Sequence, residues 1–275
     1  MLEYKSGSGG ETIKLSGGAI RAHIKTAGLY DYEWNVKETA LKIGSEIDDF
    51  EKDAKKIELV IDFTGNARER EEAANHFYDV IERDILQRTP GRLCFKGYYL
   101  ECYIIENKYT GKTERKRTVQ VEVGIYAPYP LWIKETEYNI KKTEITSEKN
   151  KRYPNKYPYR YASGMNHASI INQHHGPANF KLIIYGRTVN PQITIGGIPY
   201  LVNIVLEDEE YLEIDSKKKR ITKVKRNGDR VRAYHNREKG RQFFTKIQPG
   251  RQEVTWPGTF DFDLILYEER SAVKW

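Results

Sequence analysis

Apolar and polar residues alternate in short runs along most of the chain, and one stretch alone keeps a helical period. Ile57, Leu59 and Ile61 alternate with Glu58 and Asp62, with Val60 and Phe63 alongside. That is the pattern of a buried strand, and Thr64-Gly65 stops it. Val119, Val121 and Val123 alternate with Gln120 and Glu122 in a second strand running to Tyr126. Between them the period changes. Asn66 stands in a capping position and Glu69 follows three residues on, as in a capping box. Phe77, Val80, Ile81 and Ile85 then recur at spacings of three and four, which predicts one amphipathic helix over 66–87. Thr89-Pro90-Gly91 ends it.

The rest of the first half predicts short strands. Segments 13–15 and 19–21 are separated by Ser16-Gly17-Gly18, and 30–36 alternates into another extended piece. Residues 1–12 are polar, and Ser6-Gly7-Ser8-Gly9-Gly10 reads as a flexible terminus with no apolar signal segment. The charged stretch 38–56 fits either a mobile loop or an arm. A hairpin is predicted from 92–95 and 98–107 around Lys96-Gly97. A two-residue turn there pairs Cys94 with Tyr99 and puts Cys102 on the opposite face, so that register forms no disulfide. Two cysteines also make neither a disulfide scaffold nor a four-ligand zinc site, which suits a chain made in a reducing cytoplasm.

Pro128-Tyr129-Pro130 closes a first domain at 1–133. Residues 134–162, rich in Lys, Tyr, Asn and Pro, read as a linker. A second domain, 163–275, follows. Its predicted strands are 179–185, 192–195, 200–205, 211–214, 221–224, 231–234, 242–246, 253–256 and 260–267. Gly196-Gly197, Asp215-Ser216, Asn227-Gly228-Asp229, Pro249-Gly250 and Pro257-Gly258 supply the turns. Short strands at this spacing indicate a β-sandwich or barrel.

Composition adds to this picture without redirecting it. The chain has 275 residues, 12% of them aromatic, with 20 tyrosines. Tyrosine combines apolar area with a polar tip and suits both strands and interfaces. The net charge is +7, but 39 acidic residues are interspersed among 46 basic ones. Nucleic-acid binding is thus allowed rather than required. No run approaches the ~18 apolar residues of a membrane span.

Candidate chemistry is sparse. The histidines are His23, His76, His167, His174, His175 and His235. Only His174-His175 cluster, and neighbours on a strand face opposite ways, so a hydrogen-bonding loop is the favoured reading over a metal site. No zinc spacing, nucleophile elbow or phosphate-binding glycine loop occurs. Asp261 and Asp263 share a strand face and could serve as the acid/base pair of a glycosidase; the solvated side of a strand whose Phe260, Phe262, Leu264 and Leu266 fill the core is the favoured reading. Lys217-Lys218-Lys219-Arg220, with Lys223, Lys225 and Arg226, is the strongest basic cluster. Protection of an edge strand is favoured there over a nucleic-acid patch. Trp256 and Trp275 are the candidates for stacking on a sugar, with a core position the commoner fate of Trp256. No catalytic, cofactor-binding or metal-binding residue is assigned, and no cofactor is expected.

One stretch is more specific. Ile183 to Gly197 contains Asn190-Pro191-Gln192-Ile193-Thr194-Ile195-Gly196, Glu210 to Ser216 reads Glu-Tyr-Leu-Glu-Ile-Asp-Ser, and the chain closes on Glu268-Glu269-Arg270-Ser271-Ala272-Val273-Lys274-Trp275. With Val254-Thr255-Trp256-Pro257-Gly258 between, this resembles the C-terminal domain of siphophage distal tail proteins. The capped helix, the hairpin at 91–102 and Tyr129-Pro130-Leu131-Trp132 agree with the N-terminal part of that family. The stretch 38–56 and the linker match it least and are the places for chain-specific partner surfaces.

The resemblance implies a mainly β fold with one main α-helix. Its N-terminal domain is α+β and ring-forming; its C-terminal domain is a galectin-like or carbohydrate-module-like β-sandwich. It further implies a homohexameric hub at the tip of a phage, prophage or tail-like particle, synthesised in the bacterial host cytoplasm. The implied partners are other copies of the chain, the tail-tube protein, the tail-tip hub protein and receptor-binding or baseplate proteins. No enzymatic activity, membrane partner or sequence-specific nucleic acid is implied. The rival readings are a carbohydrate-binding protein using the C-terminal sandwich and, more weakly, a glycoside hydrolase.

Overall fold

A computed structural model describes residues 1–113, 118–142, 165–239 and 242–274. The chain divides into two compact units, Met1–Lys134 with Glu269–Trp275, and Glu135–Glu268. Both are built from strands, and the single α-helix among the described residues lies in the first.

The first unit runs β1 (Leu2–Lys5), β2 (Thr12–Lys14), β3 (Ser16–Gly17), β4 (Ile20–Ala22), β5 (Asn35–Ala40), β6 (Ser45–Glu51), β7 (Lys55–Phe63), α1 (Ala67–Leu86), β8 (Gly91–Phe95), β9 (Tyr98–Thr113) and β10 (Thr118–Ala127). β11 (Trp132–Ile140) carries the chain past the boundary at Lys134. The alternation of β7 is realised as read: Ile57, Leu59, Ile61 and Phe63 are buried. β10 places Ile125, Val123, Val121 and Val119 opposite these four. A slip of one residue would turn Glu58 and Asp62 inward, so the apolar pattern fixes the register. Each such apolar side chain is worth about 1.5–3 kcal/mol when fully buried.

β9 serves three partners, the briefest being β11, whose Ile133 pairs with Tyr99. Tyr98 to Cys102 pair with β8, while Tyr103 onward pairs with β10. The β8–β9 turn puts Lys96 at φ 51° and Gly97 at φ 80°, the left-handed pair a tight hairpin requires. Cys94 faces Tyr99 in the predicted register, Cys102 faces Gly91, and both thiols are free. Cys102 is buried, and that burial pushes its thiol up to about 12.

The helix begins on the predicted capping box. Asn66 Oδ1 accepts the Glu69 N–H at 2.9 Å, and Glu69 accepts the Asn66 N–H at 2.9 Å. Phe77, Val80 and Ile81 are buried in the shared core with Phe63 and Leu59. Ile85, predicted on the same stripe, is 40% exposed, and the buried residue of that turn is Asp84.

The second unit contains β12 (Asn166–Asn172), β13 (Asn179–Tyr185), β14 (Thr188–Val189), β15 (Gln192–Ile195), β16 (Ile198–Leu201), β17 (Val205–Leu206), β18 (Tyr211–Asp215), β19 (Arg220–Val224), β20 (Arg230–Arg232), β21 (Gly250–Trp256) and β22 (Asp261–Arg270). Two antiparallel sheets, β20-β19-β18-β13-β22 and β12-β21-β15-β16, form its layers. Phe180, Leu182, Ile184, Leu212, Ile214, Phe262 and Leu264 from one share a core with Ile170, Ile193, Ile195, Tyr200, Val254 and Trp256 from the other. This is the β-sandwich that the strand spacing predicts.

Some local expectations change. Residues 242–246 are not a strand: the Thr245 N–H bonds the Gln242 carbonyl at 3.2 Å, closing a turn that sends Phe243 into the core. The segment 200–205 divides into the ends of β16 and β17, and 231–234 leaves its strand after Arg232 for a short 3-10 turn. β12 has no counterpart among the predicted strands. The segment read as a linker, 134–162, opens on strand as far as Ile140, and its residues from 143 lie outside those described.

Candidate assembly surface

The charged stretch 38–56 forms most of an arm. β5 and β6 pair with each other alone, and every residue of both strands is exposed. Val36 stands opposite Phe50, and Glu38 opposite Ile47, with a bulge between Lys37 and Glu38. Val36, Ile47 and Phe50 are each about half exposed, and Ile43 at the tip is 92% exposed. Gly44 makes the tip possible at φ 80°, and its carbonyl accepts the Leu41 N–H at 3.0 Å.

Polar bonds hold the two strands in register. Lys37 Nζ meets Glu51 at 2.5 Å, Thr39 bonds Asp48 at 2.7 Å, and Ser45 bonds Glu38 at 2.7 Å. The Glu51 bond raises the Lys37 ammonium above its ordinary range, but the pair lies in solvent and adds little stability. A two-stranded hairpin is marginal in water, and this one has no core of its own.

Its root is better held. Lys52 Nζ lies 4.5 Å from the Trp34 ring centre and 5.3 Å from that of Tyr32, and burial lowers its pKa. Trp34 meets Phe50 edge to face at 6.4 Å. Lys55 Nζ donates to the carbonyls of Gly28 and Asp31. An open cavity of about 330 Å³ at the root is lined by Tyr32, Asn35, Lys52, Lys55 and Pro130 among others.

A second feature of this unit is polar and buried. Asp84, fully enclosed, accepts hydrogen bonds from Tyr4 Oη at 2.8 Å, Ser6 Oγ at 2.7 Å and Ser8 Oγ at 2.5 Å. The backbone N–H groups of Ser8 and Gly7 add bonds of 3.0 and 3.3 Å. Burial alone would push this carboxyl up; the bonds from Ser8, Ser6 and Tyr4 together outweigh it and hold the group below the usual carboxylate range. Burial, with the same contact, drives the Tyr4 hydroxyl far above its ordinary value. The loop read as a flexible terminus is therefore folded around the helix. A Cβ at Gly7 would lie 2.2 Å from the Pro90 carbonyl oxygen, which explains a glycine there without any appeal to mobility.

The other candidates separate cleanly. Phe262, Leu264 and Leu266 face the core as expected, and Asp261 and Asp263 lie on the other side of β22. Asp263 accepts from Asn139 Nδ2 at 2.8 Å and Tyr185 Oη at 2.7 Å, and Asp261 from the Lys142 N–H at 2.5 Å. Each carboxylate is thus bonded into the sheet surface. Trp256 is 4% exposed and packs edge to face on Phe262 at 5.5 Å, so it offers no platform to a sugar; Trp275 lies outside the described residues. His174 Nδ1 is 3.1 Å from the Gly176 carbonyl in a local loop. No group of three or more His, Cys, Asp or Glu is gathered among the described residues, and no helix among them is long and apolar enough to cross a membrane.

The basic cluster divides. Lys223 pairs with Glu210 at 2.6 Å and Arg226 with Glu209 at 2.7 Å. The edge strand of that sheet is β20, not the lysine-bearing β19. Lys218, Lys219 and Arg220 line a groove with Arg232 instead.

No protein-family model matches the sequence, and no curated protein matches it. Solved structures do. The SPP1 Dit (gp 19.1) protein, described as a paradigm of the hub adsorption apparatus in phages infecting Gram-positive hosts, is 9% identical; the match covers 98% of this chain and 99% of that one at a TM-score of 0.57. A chain of the phage P2 baseplate, in its activated conformation with Ca, is 12% identical over 99% of this chain and all of that one, at a TM-score of 0.63. The corresponding Sr form gives 13% identity and a TM-score of 0.61. Over nearly its whole length, the chain has the fold of these phage hub and baseplate proteins.

Proposed function

We propose that the chain is a structural protein of a phage or phage-like tail tip, of the distal tail protein family. In this reading it forms a homohexameric ring joining the tail tube to the tail-tip hub and to baseplate or receptor-binding proteins. Residues 1–133 build the ring, and 163–275 form a galectin-like platform outside it. The chain performs no catalysis; it is made in the host cytoplasm and ends in the virion.

The observation that carries this reading is the β5–β6 arm. It displays Val36, Ile43, Ile47 and Phe50 to water on a hairpin with no core of its own. Such a surface is an interaction site waiting for its cover. A ring of identical subunits needs two different, complementary surfaces per copy, and an arm reaching a neighbour supplies one of them. The fold shared with hub and baseplate chains supports the same assignment.

Solution mass at high protein concentration, with negative-stain microscopy, tests it. The expected result is a particle near six times 32.1 kDa with six-fold symmetry and a central channel. A strict monomer across the concentration range would overturn it.

A further inference from the structure

The groove beside the β18–β19 turn is a strongly charged concavity that the assembly reading leaves unused. Its volume is about 400 Å³, and Lys218, Lys219, Arg220, Arg232, Tyr234 and His235 line it above the buried Ile221. None of the lining residues is acidic. Thr222 faces Arg232 across β19 and β20, so Arg220, two residues earlier, is the diagonal neighbour of Arg232 on the same face. The surrounding cations behave differently: Lys223, Arg226 and Arg230 each have a glutamate partner. Lys218, Lys219, Arg220 and Arg232 have none among the described residues. The acid opposite Arg220 in register is Asp215, and its carboxylate accepts the Lys218 backbone N–H at 3.0 Å. Lys219 holds φ 48°, a conformation glycine adopts more readily, so the turn keeps a lysine where a glycine would fit better.

Unpaired cations converging on an open groove favour a polyanion whose charges repeat along a chain, because each phosphate bound releases counterions. Arginine forks match phosphate oxygens in geometry as well as charge. The two aromatic rings in the groove narrow the choice, and His235 packs edge to face on Tyr234 at 6.0 Å. Tyr234 already carries the Arg237 guanidinium 3.9 Å from its ring centre and stacks with Phe244 at 6.0 Å. Single-stranded nucleic acids need free rings for their bases, and these rings are engaged. An acidic peptide strand needs pockets for alternate side chains, and the apolar residue here, Ile221, is fully buried. We infer that this groove binds a flexible, base-free phosphodiester polymer of the polyol-phosphate class. The inference rests on the groove alone and is independent of whether the chain forms a ring.

Titration of the full chain with a defined poly(glycerol phosphate) at low salt tests this. (dT) oligonucleotide and poly-glutamate of equal charge serve as rivals, and neutral dextran as blank. Saturable binding is expected, weakening as salt rises. The exposed double reversal Arg220→Glu with Arg232→Glu is expected to weaken it by about ten-fold or more. Lys246→Glu with Arg251→Glu, the same charge change elsewhere on the second unit, is expected to leave it within about two-fold. If the reversal misfolds by circular dichroism, Arg220→Gln with Arg232→Gln replaces it, with weakening again expected. Absence of polymer binding, equal or tighter binding of the oligonucleotide or poly-glutamate, or equal loss in both variant pairs would each overturn the inference.

Discussion

The first unit contains two antiparallel pairs that look alike as hydrogen-bond ladders and differ in everything else. β7 and β10 set Ile57, Leu59, Ile61 and Phe63 against Ile125, Val123, Val121 and Val119 over a common core. β5 and β6 set Val36 against Phe50 and leave both in water. In the first pair the ladder is a by-product of burial. In the second the ladder is most of what there is, helped by Lys52 between two rings at the root. The difference teaches that strand pairing alone does not locate stability. The core pair and the Asp84 network hold the unit folded, and the arm is free to serve association.

Asp84→Ala should break this division most severely. It strands the hydroxyls of Tyr4, Ser6 and Ser8 and two backbone donors in a buried site. A loss of about 3 kcal/mol or more in urea unfolding is expected. An arm-like loss, near zero, would show that the network is ornamental. Acid gives the same test without mutation. A carboxyl held below its unfolded value of about 4 binds fewer protons in the folded state. Its contribution is therefore complete above that value and is lost as pH falls through the lower folded value. The melting temperature should drop on acidification below about pH 4, and less steeply in Asp84→Asn.

The arm should respond differently. Lys52→Ala removes cation–π contacts worth about 1 kcal/mol at most. Hydrogen exchange should speed up in 35–51 while 57–63 keeps its protection. Smallest in stability is Ile43→Asp with Ile47→Asp, expected to stay within about 0.5 kcal/mol of the parent because both positions are exposed. The same pair should abolish self-association in sedimentation velocity. A marked fall in monomer stability would mean that the arm belongs to the core after all.

What the sequence discloses follows the range of the interactions involved. The capping box at Asn66 and Glu69 and the Cys94–Tyr99 register are local, and both are read correctly from a few residues. Asp84 is harder. It falls seven residues after Phe77 and three after Ile81, squarely on the buried stripe, but its partners lie in residues 4–8. A polar residue on an apolar stripe is the signal available, and the apolar spacing points past it to Ile85. The arm is ambiguous because the bulge at Asp48, opposite the step from Lys37 to Glu38, breaks the two-residue alternation of β6, and its apolar residues face no core that would impose a period. Residues 242–246 misled in the opposite way, since Phe243 enters the core from a turn.

The segment Glu269–Trp275 belongs to the first unit, although most of that unit precedes it by an entire sandwich. Val273 is buried in the first core, and Tyr129 Oη bonds Glu269 at 2.8 Å across 140 residues of sequence. During synthesis the ribosome makes the arm well before it reaches Glu269–Trp275. The first unit thus stays incomplete while the second is being translated, since a contact this distant in sequence forms only after both ends exist. For the ring reading proposed above this order is a timer: the finished first unit that carries the arm appears only when the 140-residue interval has been spanned.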